Sequence, residues 1–318
     1  MATVQKLLTP EEIAARAAPR VPFLLLPDRN EVFAARARRL RQLAPGHSMQ
    51  GYLELIASVA EAQQRVLDDM PPVRLPEPLA IERARAHGMP PLDHRTHARD
   101  PLWADALRRM LRLVAEGGDG SGARAAARLE ASRAELYEGQ ASKLLAGVTF
   151  GLDLATAPFI GAGLQLYFTH LAHALGVEAF GPIGTPSVCP CCGSRPTASI
   201  VRIGGEVAGY RYLHCSLCSA EWHMVRVKCA RCESTKGIAY SSLAAREGAP
   251  ARNPAVQAET CEECGHYLKI CHMEREADVE PCADDLATVA LDLLVVDEGR
   301  EPWGVNFMLV HGDPEAGA

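Results

Sequence analysis

Four cysteine pairs carry the most specific chemistry in this sequence: Cys189/Cys192, Cys215/Cys218, Cys229/Cys232 and Cys261/Cys264, all within 76 residues. A C-x-x-C pair on a tight turn brings two sulfurs within reach of one ion, and two such pairs complete a tetrahedral S4 site. One pair alone is a weak signal, because redox enzymes and chance both produce it. Four at this density point to metal binding. Cys192 and Cys215 are separated by 22 residues and Cys232 and Cys261 by 28, each enough for a β-hairpin, whereas Cys218 and Cys229 are only ten residues apart. Sequential pairing therefore groups Cys189, Cys192, Cys215 and Cys218 in one site, and Cys229, Cys232, Cys261 and Cys264 in the other. A crossed arrangement is also compatible with the spacing.

Thiolate S4 sites suit iron or zinc, and ligand identity alone does not separate the two. Four cysteines per ion leave no open position for an activated water, so the chemistry expected is structural or electron-accepting rather than hydrolytic. Neither choice makes the protein an enzyme. Gly193 and Gly265 follow the second cysteine of their pairs, where the backbone must turn and aim amide hydrogens at sulfur. Three cysteines remain: Cys191, Cys271 and Cys282. Cys191 lies between two proposed ligands and could replace one after a register shift, while Cys271 and Cys282 read as small buried hydrophobes or incidental thiols. His214, His223, His266 and His272 sit near the knuckles, as packing or hydrogen-bonding groups or as substitute ligands.

The elements that must position these residues divide at the cysteine boundary. No cysteine precedes Cys189 in the 318 residues. Residues 1–185 read as an all-α domain, with a capped start at Thr9-Pro10-Glu11-Glu12. Helical period follows over Arg29–Leu43 (stripe Val32, Phe33, Ala37, Leu40) and Tyr52–Leu67, with a short helix near Leu79–His87. A further helix runs from Leu102 through Val114, and two or three more lie between Ala123 and Leu175. Arg36, Arg38, Arg39 and Arg41 read as a solvated face or a patch for an acidic partner. His87, His94 and His97 form a histidine-rich loop without a supporting ligand pattern. The glycine run from Gly117 to Gly122 lacks the Lys-Ser/Thr of a phosphate loop and reads as a turn. Ribbon strands are expected at Ile200–Gly205, Tyr210–Cys215, Trp222–Cys229 and Tyr267–Cys271. The fold class is α+β: a helical domain, two tandem rubredoxin-like or zinc-ribbon modules at 186–225 and 226–282, and a C-terminal helix and tail at 283–318.

Composition narrows the function classes. A hydrophobic fraction of 48% with 23% charged residues is that of a folded globular chain. A net charge of −6 argues against a protein that coats nucleic acid. The most apolar window, Ala155–Leu175, contains Pro158, Gln165, His170 and His173, so it reads as a buried helix rather than a membrane span. No secretory segment is evident, which makes a reducing cytoplasm and metal-bound cysteines the expectation.

The cysteine motifs resemble those of the formate dehydrogenase accessory protein FdhE family. The similarity runs through Cys189-Pro-Cys-Cys-Gly-Ser-Arg-Pro, Arg211-Tyr-Leu-His-Cys-Ser-Leu-Cys, Glu221-Trp-His-Met-Val-Arg-Val-Lys-Cys-Ala-Arg-Cys and Cys261-Glu-Glu-Cys-Gly-His-Tyr-Leu-Lys-Ile. It continues in Cys282-Ala-Asp-Asp-Leu and, in the first half, in Pro22-Phe-Leu-Leu-Leu-Pro, Arg36-Ala-Arg-Arg-Leu and the stretch from Tyr52-Leu to Ala62-Gln63. The resemblance implies a cytoplasmic maturation factor that binds the molybdenum-containing catalytic subunit of a respiratory formate dehydrogenase before its folded export by the twin-arginine (Tat) route. It also implies rubredoxin-like iron held by the eight paired cysteines, which match the family positions one by one. Cys191 and Cys271 are extras to that pattern. Trp222 reads as core packing or a partner anchor. Asp284 and Asp285 suit the first turn of a helix running to Leu294, or, with Asp292, contact a basic signal segment.

Two other classes compete. A zinc-ribbon nucleic-acid binder is favoured by the ribbons and disfavoured by the charge, since Arg226, Lys228 and Arg231 are mixed with acids and form no continuous basic stripe. An electron-transfer or thiol–disulfide protein predicts redox turnover at a cysteine pair.

Overall fold

The computed structural model describes residues 21–243 and 254–310. The helix start expected at Thr9 lies outside them. Seven α-helices among the described residues precede the first cysteine: α1 (Val32–Leu43), α2 (Gln50–Asp68), α3 (Pro78–Ala86), α4 (Leu102–Glu116), α5 (Ser121–Glu130), α6 (Ala134–Ala146) and α7 (Ala157–Leu175). Helix α7 is the axis of this layer and is buried from Ala157 to Ala172. It packs against α2, α4 and α6. Gly161 lets the C-terminal segment approach α7 closely, since a Cβ there would stand 2.6 Å from that of Phe307.

The polar residues inside α7 explain why so apolar a window is a core helix. Gln165 donates through Nε2 to the carbonyl of Ser216 at 2.7 Å, and His170 Nε2 lies 3.0 Å from the carbonyl of Pro71. These groups find protein partners that hydrocarbon would not supply. No described helix is long and apolar enough to cross a membrane.

The second half is built on one eight-stranded sheet. Its strands are β1 (Leu24–Leu25), β2 (Pro196–Val201), β3 (Arg211–Cys215), β4 (Glu221–Met224), β5 (Ile238–Ser241), β6 (Val256–Cys261), β7 (His266–His272) and β8 (Glu301–Pro302). The spatial order is β1-β4-β3-β2-β7-β6-β5, with β8 beside β7. Strands β2 to β4 form one antiparallel meander and β5 to β7 another. The two meet where β2 and β7 run parallel, in the register Ser199–Ile270, Ile200–Cys271 and Val201–His272. The expected ribbons are thus halves of a shared sheet. The strand expected over Trp222–Cys229 ends at Met224, because residues 225–228 turn toward the next knuckle.

Two short helices follow, α8 (Pro281–Ala287) and α9 (Val289–Asp297). The single helix expected from Asp284 to Leu294 is broken at Thr288, which has φ −112° and ψ 28°. The arginines of α1 also differ from a solvated face. Arg38 and Arg41 are exposed and pair with Glu31 and Glu61, but Arg36 and Arg39 are buried against α8. Arg36 Nε meets Glu280 Oε1 at 3.0 Å, and Arg39 forms a two-point pair with Asp284 at 2.8 and 2.9 Å. Asp284 therefore serves an ion pair more than a helix dipole. Asp285 and Asp292 share Lys269 in the same manner.

Candidate metal centres

Three of the four cysteine pairs sit on a knuckle closed by one kind of backbone bond, while at Cys215/Cys218 the Cys215 amide donates to the carbonyl of Ala220 at 2.8 Å. In those three the amide of the residue after the second cysteine returns to the carbonyl of the first: Gly193 to Cys189 at 2.8 Å, Glu233 to Cys229 at 3.1 Å and Gly265 to Cys261 at 3.0 Å. That residue has positive φ at all four knuckles: 71° at Gly193, 57° at Ser219, 62° at Glu233 and 71° at Gly265. The glycines were legible as turn formers, whereas Ser219 and Glu233 hold the same left-handed conformation against their own Cβ. Glu233→Gly is expected to raise stability by about 0.5–1 kcal/mol, the relief of strain exceeding the loss of a half-exposed contact with Lys228. A urea midpoint shift checks this, and a lower midpoint would refute it.

The knuckles bring the sulfurs together in two groups: Cys189, Cys192, Cys215 and Cys218, and Cys229, Cys232, Cys261 and Cys264, with all sulfurs of a group within 4.8 Å of one another. Across the first group Cys189 Sγ lies 3.5 Å from Cys218 Sγ, and Cys192 Sγ 3.4 Å from Cys215 Sγ. Both such distances in the second group are 3.7 Å. A tetrahedral ion with metal–sulfur bonds of ~2.3 Å places its sulfurs ~3.8 Å apart, so both groups fit one ion each. Backbone amides point inward as well: Cys191 N to Cys189 Sγ at 3.4 Å, Leu217 and Cys218 N to Cys215 Sγ at 3.3 Å, and Arg231 N to Cys229 Sγ at 3.4 Å. Burial pushes the thiols of Cys192, Cys215 and Cys218 up, while Cys189, buried too but ringed by neighbouring thiol donors, is held low. Burial thus disfavours the charged form at three of the four sulfurs, and holding all four as thiolates in such a space requires a cation between them.

The two groups have different surroundings. The first is wholly buried and shares the main core with α4 and α7, whereas in the second Cys232 is exposed and Cys264 half-buried. A segment of the helical half straps the first group. Leu92 N donates to the carbonyl of Cys191 at 2.9 Å, and both His94 N, at 3.0 Å, and His94 Nδ1, at 2.8 Å, meet the carbonyl of Cys192. The histidine-rich loop thus orders a knuckle, and His97 packs on Tyr167 instead of joining His94. The sequence signal was the histidine itself; its partner lies 98 residues away.

The remaining candidates are placed as follows. Cys191 is buried beside the first group, Cys271 is buried in a small core with Ile200 and Tyr212, and Cys282 lies in the first turn of α8. Trp222 is core, its Nε1 donating to the carbonyl of Pro186 at 2.8 Å. His266 Nδ1 lies 2.7 Å from the carbonyl of Cys264, and His223 packs edge-on against Tyr210 and Tyr212. His214 meets Glu221, a carboxylate that burial would raise but that Arg202 and His214 together hold at about 2.

A helical layer enclosing one four-cysteine group and a shared sheet carrying a second define a two-ribbon protein in which each group is able to hold one ion. Comparison with known proteins specifies it further: residues 21–185, 188–226 and 227–309 match the N-terminal, central and C-terminal domains of FdhE. The FdhE homolog of Pseudomonas aeruginosa is 41% identical over 314 residues, covering 96% of this chain and 98% of that protein. The homolog of Stutzerimonas stutzeri is 39% identical over 96% of this chain and 98% of its own length. The crystal structure of the FdhE protein from Pseudomonas aeruginosa superposes with a TM-score of 0.78 at 36% identity, covering 92% of this chain and 100% of that one. The chain belongs to the FdhE family.

Proposed function

We propose that this chain is a cytoplasmic, non-enzymatic maturation factor that binds the catalytic subunit of a respiratory formate dehydrogenase and supports its assembly before Tat export. The observation that carries the reading is the pair of closed four-cysteine groups on a scaffold of the FdhE family. Cys189, Cys192, Cys215 and Cys218 hold one ion, and Cys229, Cys232, Cys261 and Cys264 the other. Both ions are iron, with zinc as the alternative. The working division is a helical domain at 1–185, ribbons at 186–225 and 226–282, and a C-terminal unit at 283–318. Nucleic acid and membrane insertion play no part.

The test is anaerobic co-expression with a tagged formate dehydrogenase catalytic subunit, followed by capture, elemental analysis and visible spectra. Co-capture of a coloured protein with two irons is the expected result. A colourless zinc protein that never accompanies the subunit would sink the proposal. The exposure of Cys232 favours a second reading, in which the outer centre passes one electron. Reversible bleaching by dithionite, lost in Cys229→Ser/Cys232→Ser, would support it.

A further inference from the structure

A third group of metal-competent side chains lies where the helical layer meets the first ribbon. His214 on β3, Glu280 at the N-cap of α8 and Cys282 in its first turn each bring one ligand atom to within 4.8 Å of the others. These atoms come from two segments 66 residues apart in the chain, so neither local turn geometry nor one helix end explains their meeting.

The imidazole is the telling member. His214 is 4% exposed and its Nε2 has no hydrogen-bond partner, while Nδ1 lies 3.2 Å from Glu221 Oε1. Glu221 is itself paired through Oε2 with Arg202 Nε at 2.8 Å, so it serves His214 as an acceptor. With Nδ1 turned to Glu221, Nε2 is the ring nitrogen left without a partner in a buried space. Metal-ligating histidines are held in this way, a carboxylate behind the ring fixing its tautomer and angle. The carboxylate of Glu280 keeps lone pairs beyond its bonds to Arg36 Nε at 3.0 Å and to the amide of Ala283 at 2.7 Å. Cys282 Sγ makes only long sulfur contacts, with Thr197 Oγ1 at 3.8 Å, Gln165 Nε2 at 3.9 Å and Asn306 Oδ1 at 4.0 Å, and lies in the field of the Arg36 guanidinium.

We propose that His214 Nε2, a Glu280 oxygen and Cys282 Sγ form a third metal site for a divalent ion of the zinc class. It differs in kind from the four-cysteine centres. Three ligands of mixed type leave a fourth position exchangeable, the arrangement of reactive rather than structural zinc. Closing the group onto an ion requires donor separations of about 3.3–3.8 Å, a contraction within reach of side-chain rotation. Access is present, because His214 and Glu280 line a cavity of about 530 Å³ bounded by α1 and the sheet. Charge balance then selects the occupant of the fourth position. The ion adds two positive charges and the thiol releases one proton, so one positive charge remains beside the Arg36–Glu280 pair. A small anion such as hydroxide or a ligand carboxylate satisfies it.

The proposal is independent of the assignment of the four-cysteine groups, and the test keeps the two apart. Full-length protein as purified is dialysed against micromolar Co2+ alone, and bound cobalt is counted and its visible spectrum recorded. Wild type is expected to take up one equivalent, with a thiolate-to-cobalt band, that both Cys282→Ala and Glu280→Gln lose. Cys229→Ser/Cys232→Ser should retain that equivalent while lacking an ion of its own group. Glu280→Gln keeps the volume and the cap acceptor but strips buried Arg36 of its charge partner, so Cys282→Ser, which leaves that pair intact and should lose the thiolate-to-cobalt band, reports if the other variants fail to fold. Equal cobalt in wild type and Glu280→Gln would overturn the site.

Discussion

Replacing Cys189 and Cys192 by serine is expected to abolish folded protein, while Cys229→Ser/Cys232→Ser yields a folded chain short of one ion. The asymmetry follows from where the two groups sit. The first lies inside the main core, with all four sulfurs buried and its knuckle strapped by Leu92 and His94. Removing the ligands forfeits the binding energy of the ion, about 10 kcal/mol or more for structural metal in small domains, and leaves hydroxyls among core side chains. A domain stabilised by about 5–15 kcal/mol does not survive that loss. The second group is carried on the outer meander with Cys232 at the surface, so its loss loosens β5 to β7 and leaves the helical layer standing. Chelator challenge should show the same order, with one ion released early and the other only on global unfolding. Circular dichroism melts and metal content of the two variants check both statements. Release of both ions in one phase, or a folded first variant, would contradict them.

The second large effect is expected at Arg211→Met, with a loss of about 3–5 kcal/mol and a melting point lower by roughly 10 °C. Arg211 and Glu259 are 0% and 3% exposed in their side chains, 2.8 Å apart, and belong to β3 and β6 in different meanders. Arg211 Nη1 also donates to the carbonyl of Lys228 at 3.0 Å, where the chain passes between the meanders. Burial raises the Glu259 carboxyl in spite of Arg211, so the pair does not fully offset its own desolvation. Removing the guanidinium strands that carboxylate with only Tyr240 Oη, 3.0 Å away, as a side-chain donor. Arg211→Met/Glu259→Leu should recover most of the loss, because two apolar groups replace a costly pair. A denaturant series over the four proteins gives the coupling. A single variant within 1 kcal/mol of wild type would show that the pair is not what joins the meanders.

Much of the site was legible because it is local. A C-x-x-C spacing, a glycine after it and a hairpin-length gap are short-range constraints, and the helical stripe of α1 is a matter of period. What stayed hidden depends on distant partners. Nothing near Arg36 or Arg39 shows that Glu280 and Asp284, more than 240 residues on, neutralise them. The tandem arrangement was readable from cysteine order, but the parallel seam of β2 and β7 was not, since pairing of residues as far apart as Ser199 and Ile270 leaves no local pattern. Leu24 and Leu25 are too short a run to predict a strand, and become one only by pairing with Trp222 and Glu221. Ser219 and Glu233 mimic glycine because a knuckle overrides propensity.

The buried arginines of α1 also constrain the order in which the molecule can be made. Synthesis runs from the N terminus, so α1 emerges about 240 residues ahead of the carboxylates that neutralise Arg36 and Arg39. Until α8 arrives, closing the helical layer over those two guanidinium groups would bury unpaired charge. The N-terminal half is therefore expected to stay open on that side until α8 arrives, by which time every cysteine up to Cys264 has been synthesised. Ion capture is then expected before final closure, and a chain truncated before Glu280 should keep both four-cysteine groups yet leave that side unsealed.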